Sequence, residues 1–288
     1  MTRSVNAAPA SPGSDIRPDE ALVTLENSAR RIRRLILRLA ATPTGCHLGG
    51  SLSLVELLVT LLGSVMRFDP RSPRWEGRDH LILSKGHAAA GLYAALSEFG
   101  FFDPEELVRG YNAEGSNFTG HVNAKVAGVD FSTGSLGHGL GLGVGLALGH
   151  RMKGESNRVY VICGDGEMGE GSNWEAIQIA SHQRLSNLTL IIDRNGGQND
   201  GPTESILSQA ALTDRLLMFG FDALEVDGHD LRALRQALQA PAGTGPRAII
   251  ARTQKGAGVP MFRGKGPHYA VLSPEQLRRA LTSMGEAP

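Results

Sequence analysis

The chain has 288 residues, and its 29 Lys and Arg residues balance its 29 Asp and Glu residues, so the formal net charge is zero. That balance argues against nonspecific nucleic-acid binding, which depends on an excess of basic side chains. Cys46 and Cys163 are the only cysteines. They exclude a disulfide framework and a cysteine-rich zinc site, and they fit a reducing, cytoplasmic compartment.

The N-terminal segment differs in composition from the rest of the chain. Residues 1–18 are rich in Ser, Pro, Ala and Gly and lack the apolar run of a signal peptide, which predicts a disordered arm. No later segment reaches 18 uninterrupted apolar residues, so we expect no membrane-spanning helix. Residues 19–288 contain neither a linker nor a repeat and are predicted to form one domain.

The first half of the chain is predicted to be mainly helical. Apolar residues recur at helical spacing between positions 20 and 41. Ser53 and Glu56 have the spacing of a capping box, which would open a second helix that continues through Leu62. The other elements predicted here are a strand at 78–84, a helix at 87–99 and a helix that begins at Asp103.

Residues 134–149, with the sequence GSLGHGLGLGVGLALG, combine helix-forming Leu and Val with many glycines. Each Gly weakens a helix by about 1 kcal/mol relative to Ala, so such a helix is expected only where it packs tightly on both sides. No strand precedes the glycines, which makes a dinucleotide-binding motif a weak interpretation.

Strands and helices alternate in the second half of the chain. The predicted strands are 158–163, 188–193, 223–226 and 248–252, and the predicted helices are 172–183, 207–219, 231–238 and a last one from Pro274. This alternation predicts an α/β fold, a parallel sheet with helices on both faces in three layers.

Two polar clusters follow neighbouring strands of this sheet. Asp165 comes directly after one strand and Asn195 directly after the next, so both are expected at the carboxyl edge, where open parallel sheets bind ligands. Carboxylate, amide and turn carbonyl oxygens suit Mg²⁺ or Ca²⁺. Gly164 and Gly166 would let backbone N–H groups face phosphate oxygens at a helix start. The alternative, an ordinary Asp-Gly turn beside an unrelated Asn turn, is disfavoured because both clusters end strands of one βαβ unit.

GDGE at 164–167 and DRNG at 193–196 together resemble the thiamine diphosphate motif, which begins with GDG and ends with Asn about thirty residues later. Further motifs resemble, in order, those of the N-terminal half of transketolases: CHLGGSLS at 46–53, LSKGHA at 83–88, GHVN at 120–123, STGSLGHGLG at 132–141, GDGEMGEGSNWEA at 164–176 and DRNGGQNDGPTE at 193–204. The similarity covers residues 20–280. The pattern is that of split transketolases, in which this half is a separate subunit with the thiamine-diphosphate-binding fold.

This resemblance implies roles for individual residues. The implied metal ligands, for Mg²⁺ or Ca²⁺ in its place, are Asp165, Asn195 and the carbonyl of Gly197. The implied thiamine diphosphate contacts are His87, Gly134, Leu136, Gly164, Asp165, Gly166, Asn195 and His268, with the Leu136 backbone facing the aminopyrimidine. The implied catalytic residues are His47, His121, His268 and Glu170, the last in a proton network at a subunit interface.

The chain also departs from the family pattern. The changed positions are Cys46 for Gly, Leu48 for Pro, His138 for Gln, Gly197 and Asn199 for apolar residues, and a missing Trp before His268. The first two resemble deoxyxylulose-phosphate synthases. Together these changes indicate an unusual substrate.

The resemblance implies a transferase that moves a two-carbon ketol unit from a ketose, or ketose phosphate, to an aldehyde. The activating Glu of the family lies in a pyrimidine-binding domain, which is expected on a separate C-terminal subunit. We therefore expect two copies of each subunit, with the Gly-rich helix and Gly143 at the interface and Glu170 facing another subunit. The alternatives are a noncatalytic partner-binding homologue, a condensing subunit like deoxyxylulose-phosphate synthase, and a phosphotransferase that uses Lys85.

Overall fold

The computed structural model describes residues 18–241, 243–264 and 267–285. The predicted N-terminal arm lies outside the described residues, apart from Pro18, where the first helix begins.

Five strands form one parallel sheet, as predicted. They are β1 (His80–Leu83), β2 (Val159–Gly164), β3 (Leu188–Arg194), β4 (Asp222–Asp227) and β5 (Arg247–Arg252). Their order across the sheet is β1-β2-β3-β5-β4, and every neighbouring pair is parallel. In the register of β2 and β3, Gly164 lies opposite Asp193. The carboxyl ends of these strands therefore meet at one edge of the sheet.

Eleven α-helices occur in the described residues. They are α1 (Pro18–Ala40), α2 (Leu48–Leu52), α3 (Val55–Thr60), α4 (Ala89–Glu98), α5 (Pro104–Gly110), α6 (Gly139–Lys153), α7 (Gly171–His182), α8 (Thr203–Ile206), α9 (Leu212–Met218), α10 (Leu231–Gln239) and α11 (Pro274–Ser283).

Two apolar cores confirm the three-layer arrangement. Alternate strand residues enter opposite cores, as the pleat requires: Tyr160 and Ile162 face the core built with α1–α4 and α10, whereas Val159 and Val161 face the core built with α6, α7 and α9. The strands are buried on both faces, which is typical of a parallel sheet covered by helices.

The predicted capping box at Ser53 is wrong. Ser53 lies at the C-terminal end of α2, and its hydroxyl donates to Asp193 Oδ2 at 2.7 Å. Glu56 instead pairs with Arg33 at 2.5 Å. The predicted single helix is consequently two short helices and a π-helical turn, Leu61–Val65. Long-range polar contacts use both side chains that a local capping box would need.

The segment Leu48–Val65 has the length and mean hydropathy, 1.7, of a membrane span, but 83% of it is buried inside the protein. It packs as a core segment. The predicted helix at 207–219 is also shorter than expected, because residues 207–211 form a connection before α9 and Ala211 adopts a left-handed conformation with φ of 52°.

The Gly-rich helix α6 begins at Gly139, and only one of its faces is tightly packed. A Cβ atom on Gly143 would lie 2.3 Å from Val161 Cγ2, so that glycine is required for contact with the sheet. Nothing lies within 4 Å of a Cβ on Gly141, Gly145 or Gly149. The prediction that Gly143 lies at an interface is therefore wrong, since the open glycines lie on the opposite face.

Candidate active site

The structure brings Asp165 and the loop after β3 into direct contact. The Asp165 carboxylate accepts hydrogen bonds from Gly196 N at 2.8 Å and Thr203 Oγ1 at 3.1 Å. Asn195 Oδ1 lies in the same loop and accepts from Gly197 N at 3.2 Å. The two polar clusters that the sequence places at neighbouring strand ends thus form one arrangement.

This arrangement fits a hard divalent cation. Burial and the nearby charge of Asp193 raise the pKa of Asp165, which is what an acidic group without a neutralising charge experiences. Among the described residues, no group of three or more His, Cys, Asp or Glu side chains is arranged to hold a metal ion. A cation here would therefore need amide and carbonyl oxygens as well, and Asn195 and Gly197 carry them beside Asp165.

A buried ion pair supports the cluster from below. Lys85 Nζ lies 2.6 Å from Asp193 Oδ2, and the exposed fractions of the two side chains are 2% and 0%. Ser53, Asn195 and Thr253 also donate to this carboxylate. Burial alone would raise the pKa of Asp193, but the Lys85 ammonium and the other donors hold it below its usual value. Lys85 is therefore committed to Asp193, which removes the clamp that a phosphotransferase would need.

Glu167 is a structural residue that the sequence analysis missed. Its buried carboxylate accepts hydrogen bonds from Ser84 Oγ at 2.5 Å, Gly137 N at 2.9 Å and Gly164 N at 3.0 Å. It therefore ties the motif segments LSKG, GSLG and GDG together. The only local signal was an acidic residue after GDG, which does not reveal partners up to 83 positions away.

The N–H groups of the GDG turn do not point where the sequence predicts. Gly164 N donates to Glu167, and Gly166 N donates to Asp165 Oδ1 at 2.9 Å. Both groups are used within the chain because each has a carboxylate within one turn, so neither is free for a phosphate in this arrangement.

Four histidines from four separate motifs form one cluster. The His47 ring lies at its centre, with ring centroids 5.3 Å from His87, 5.4 Å from His121 and 5.2 Å from His268. The ring of Tyr269 also contacts His47, with a centroid distance of 4.9 Å. The Nδ1 atoms of His47 and His268 are buried without a hydrogen-bond partner in the part of the chain that the structure describes. Such atoms are available to a ligand.

The environment of this cluster keeps its histidines neutral. Burial, together with His268 and His121, lowers the pKa of His47 to about 4. Burial and the Lys85 ammonium lower the pKa of His87 to about 2. Burial and the Lys255 ammonium also lower the pKa of His268. Neutral imidazole rings can donate one hydrogen bond and accept another, which suits contact with substrate hydroxyl groups.

The remaining predicted residues lie around the GSLG turn. Gly134 packs against His121, since a Cβ there would lie 3.1 Å from His121 Cδ2. The Leu136 carbonyl is 3.0 Å from His138 Nδ1. Glu170 is exposed at the N-terminal end of α7, beside Gly137 and outside the histidine cluster.

Comparison with known proteins identifies the family. Residues 25–288 match the family model described as transketolase, thiamine diphosphate binding domain. The chain belongs to this family. It is 40% identical over 264 residues to the first subunit of an apulose-4-phosphate transketolase from Actinobacillus succinogenes, covering 90% of this chain and 95% of that protein. It is 38% identical over 269 residues to the 6-deoxy-6-sulfo-D-fructose transketolase subunit SqwG from a Clostridium species, covering 92% and 98%.

Solved transketolases have the same fold. The structure of a Pichia stipitis transketolase superposes with a TM-score of 0.85 at 29% sequence identity, and that of the Leishmania mexicana enzyme with 0.84 at 29%. Each comparison covers 92% of this chain but only 41% and 42% of the transketolase chain. The predicted resemblance to one half of a transketolase, the fold class and the transferase class are confirmed.

Proposed function

We propose that this chain is the diphosphate-binding subunit of a two-component transketolase. With a separate pyrimidine-binding subunit, it transfers a two-carbon ketol unit from a ketose to an aldehyde. The observation that carries this proposal is the position of the Asp165–Asn195 cluster and the His47 cluster at one sheet edge, bridged by Lys85, which is bound to Asp193 and lowers the pKa of His87. The two apulose-4-phosphate relatives are named as subunits and match over 95% and 94% of their length, which supports the two-component arrangement.

The cofactor site is proposed around the strand ends. Asp165, Asn195 and the Gly197 carbonyl would hold Mg²⁺, with Ca²⁺ able to replace it, because these are hard oxygen ligands. Thiamine diphosphate supplies an electron sink when it is bound. The other proposed contacts are Gly164, Gly166 and His87 near the diphosphate, and Gly134 and the Leu136 carbonyl near the aminopyrimidine.

The histidine cluster is proposed to bind and orient the substrate. His47, His121 and His268 would exchange hydrogen bonds with its hydroxyl groups, and the two buried Nδ1 atoms without partners support that role. Because their environment disfavours the charged form of His47 and His268, these rings can accept a proton only where a substrate oxygen releases one nearby. Glu170 is proposed to join a proton network where it faces another subunit.

The wider context follows from the same proposal. Residues 19–288 would form the thiamine diphosphate domain of an assembly with two copies of each subunit in the cytoplasm. The buried free thiols of Cys46 and Cys163 support a reducing compartment. Relatives named for apulose-4-phosphate and 6-deoxy-6-sulfo-D-fructose support a specialised sugar as substrate.

The alternatives explain fewer observations. A noncatalytic homologue gives no reason for four neutral histidines around two unpartnered nitrogen atoms. A deoxyxylulose-phosphate-synthase-like role rested on Cys46 and Leu48, yet both side chains are buried, with 1% and 0% exposure, and face the core.

The proposal is tested by purifying the chain together with its candidate partner and screening ketose donors against aldehyde acceptors, with thiamine diphosphate and Mg²⁺ present. We expect two-carbon transfer for at least one pair. A complex that binds the cofactor but transfers nothing across the screen would contradict the proposal.

A further inference from the structure

Tyr269 lies at the edge of the histidine cluster where the cluster opens outward. Its ring meets the His47 ring at an angle of 89°, and His87, His121 and His268 contact other parts of the same imidazole. Tyr269 is 46% exposed. A large aromatic side chain with an open face therefore stands beside the ring at the centre of the site.

This aromatic ring is held in place at both ends. Its hydroxyl donates to the Thr44 carbonyl. The next residue, Ala270, exchanges two backbone hydrogen bonds of 3.0 Å with Cys46. Gly45 packs directly on that bridge with φ of +65°, and a Cβ there would lie 2.1 Å from the Ala270 carbonyl oxygen. Tyr269 therefore cannot turn away without breaking contacts on both sides.

A fixed ring at this position has a steric consequence. Substrate atoms that reach the unpartnered nitrogen atoms of His47 or His268 must pass close to Tyr269, because its ring and the His47 ring are in contact. The phenol hydroxyl is already used by Thr44. The ring consequently offers an uncharged, largely apolar surface to whatever extends outward from the reacting carbons.

We propose that Tyr269 is a specificity-determining residue that limits the length of the aldehyde acceptor beyond its reacting carbon. This inference rests on the proposed function. It assigns Tyr269 to selection among acceptors and not to bond making, so it concerns uncharged polyhydroxy aldehydes of increasing chain length. Short aldehydes fit beneath the ring, and longer ones must displace it or bind with their outer carbons out of place.

The test uses the assembled two-subunit complex and three uncharged acceptors, glycolaldehyde, glyceraldehyde and erythrose, with one ketose donor. The measured quantity is kcat/KM for each acceptor. In Tyr269→Ala, we expect the ratio of erythrose to glycolaldehyde to rise about tenfold, the scale on which pocket contacts discriminate. Tyr269→Trp is expected to lower that ratio, because it adds volume at the same place.

Two further variants separate the ring from its hydroxyl. Tyr269→Phe keeps the ring and is expected to stay within about threefold of the wild-type ratio. Tyr111→Phe is the matched control, since the Tyr111 hydroxyl is buried without a hydrogen-bond partner among the described residues. Unchanged affinity for thiamine diphosphate in every variant shows that the cofactor site is intact.

The outcomes distinguish the two proposals. An active wild-type complex in which Tyr269→Ala and Tyr269→Trp change kcat/KM equally for all three acceptors would overturn the role of Tyr269 and leave the proposed function standing. A wild-type complex that transfers no ketol unit to any acceptor would overturn the proposed function, and the role of Tyr269 with it.

Discussion

The ammonium nitrogen of Lys85 lies 2.6 Å from Asp193 Oδ2, and both side chains are almost completely buried. This pair neutralises one of the two carboxylates at the ends of β2 and β3. Asp165, the other carboxylate, has a raised pKa because burial and Asp193 disfavour its charge. The acidic group best placed to gain from a cation is therefore Asp165.

Replacing Asp165 tests this assignment. Asp165→Asn is nearly isosteric and retains an acceptor for Gly196 or Thr203, so the fold should survive. We expect thiamine diphosphate to bind the assembled complex at least tenfold more weakly in the presence of Mg²⁺, because the charge that holds the cation is lost. Titration calorimetry measures the change. Asp214→Asn, at an exposed position in α9, is the control, and equal affinities in the two variants would refute the metal site.

The two faces of α6 give opposite predictions for a Gly to Leu change. Gly143→Leu should lower the thermal stability of the isolated chain by about 1–3 kcal/mol, because Val161 occupies the space that a Cβ would need. Gly145→Leu should leave the isolated chain as stable as wild type or slightly more stable, since the position is open and Leu favours a helix.

The same Gly145→Leu variant tests the interface. If the open face of α6 meets another subunit, the variant should weaken assembly in sedimentation experiments with the partner present. Wild-type assembly by Gly145→Leu would exclude this face from the interface.

The neutral histidines predict a pH dependence of stability for the cofactor-free chain. The pKa of His47 in the folded chain is about 4, below its ordinary value of 6.5, and that of His87 is about 2. Between pH 6.5 and 4 the unfolded chain therefore binds more protons than the folded chain, so the free energy of unfolding falls as the pH falls through this range.

Urea unfolding at pH 7.5 and 5.5 measures this loss. His87→Gln should reduce the difference between the two pH values, because it removes one group that takes up a proton only on unfolding. His182→Gln, at an exposed position in α7, should leave the difference unchanged. A His87→Gln chain with the full wild-type difference would show that His87 is not held neutral by the fold.

Two ion pairs of similar geometry are predicted to differ in their contribution to stability. Arg33 and Glu56 are buried, with side-chain exposures of 7% and 10%, whereas Arg38 and Glu105 have 38% and 54%. Glu56→Gln leaves a buried guanidinium without its charge partner and should lower the free energy of unfolding by about 3 kcal/mol. Glu105→Gln should lower it by less than about 1 kcal/mol. Equal losses in urea unfolding would contradict this difference.

The sequence predicted the features that depend on local pattern and chain direction. Strand–helix alternation determines a parallel sheet, and in such a sheet consecutive strands end at the same edge. The contact between Asp165 and the Asn195 loop follows from that geometry alone. The grouping of His47, His87, His121 and His268 came instead from the resemblance, since no local pattern joins four distant loops.

The features that sequence reasoning missed depend on long-range packing. Ser53 is 140 positions from Asp193, the carboxylate to which it donates, and Lys85 is 108 positions from the same group. A local capping-box pattern therefore misled at Ser53. Likewise, the spacing of glycines in α6 defines two stripes but not which one faces the sheet, because that depends on how the helix is rotated against β2.

The rate of ketol transfer by the chain with and without its partner tests the central claim most directly. With thiamine diphosphate, Mg²⁺, a ketose and an aldehyde present, we expect no turnover by the pure isolated chain. We expect turnover when the pyrimidine-binding subunit is added, since that subunit is proposed to supply the activating glutamate. Robust turnover by the isolated chain, at a rate that the partner does not change, would contradict the claim that this chain is one half of a two-component transketolase.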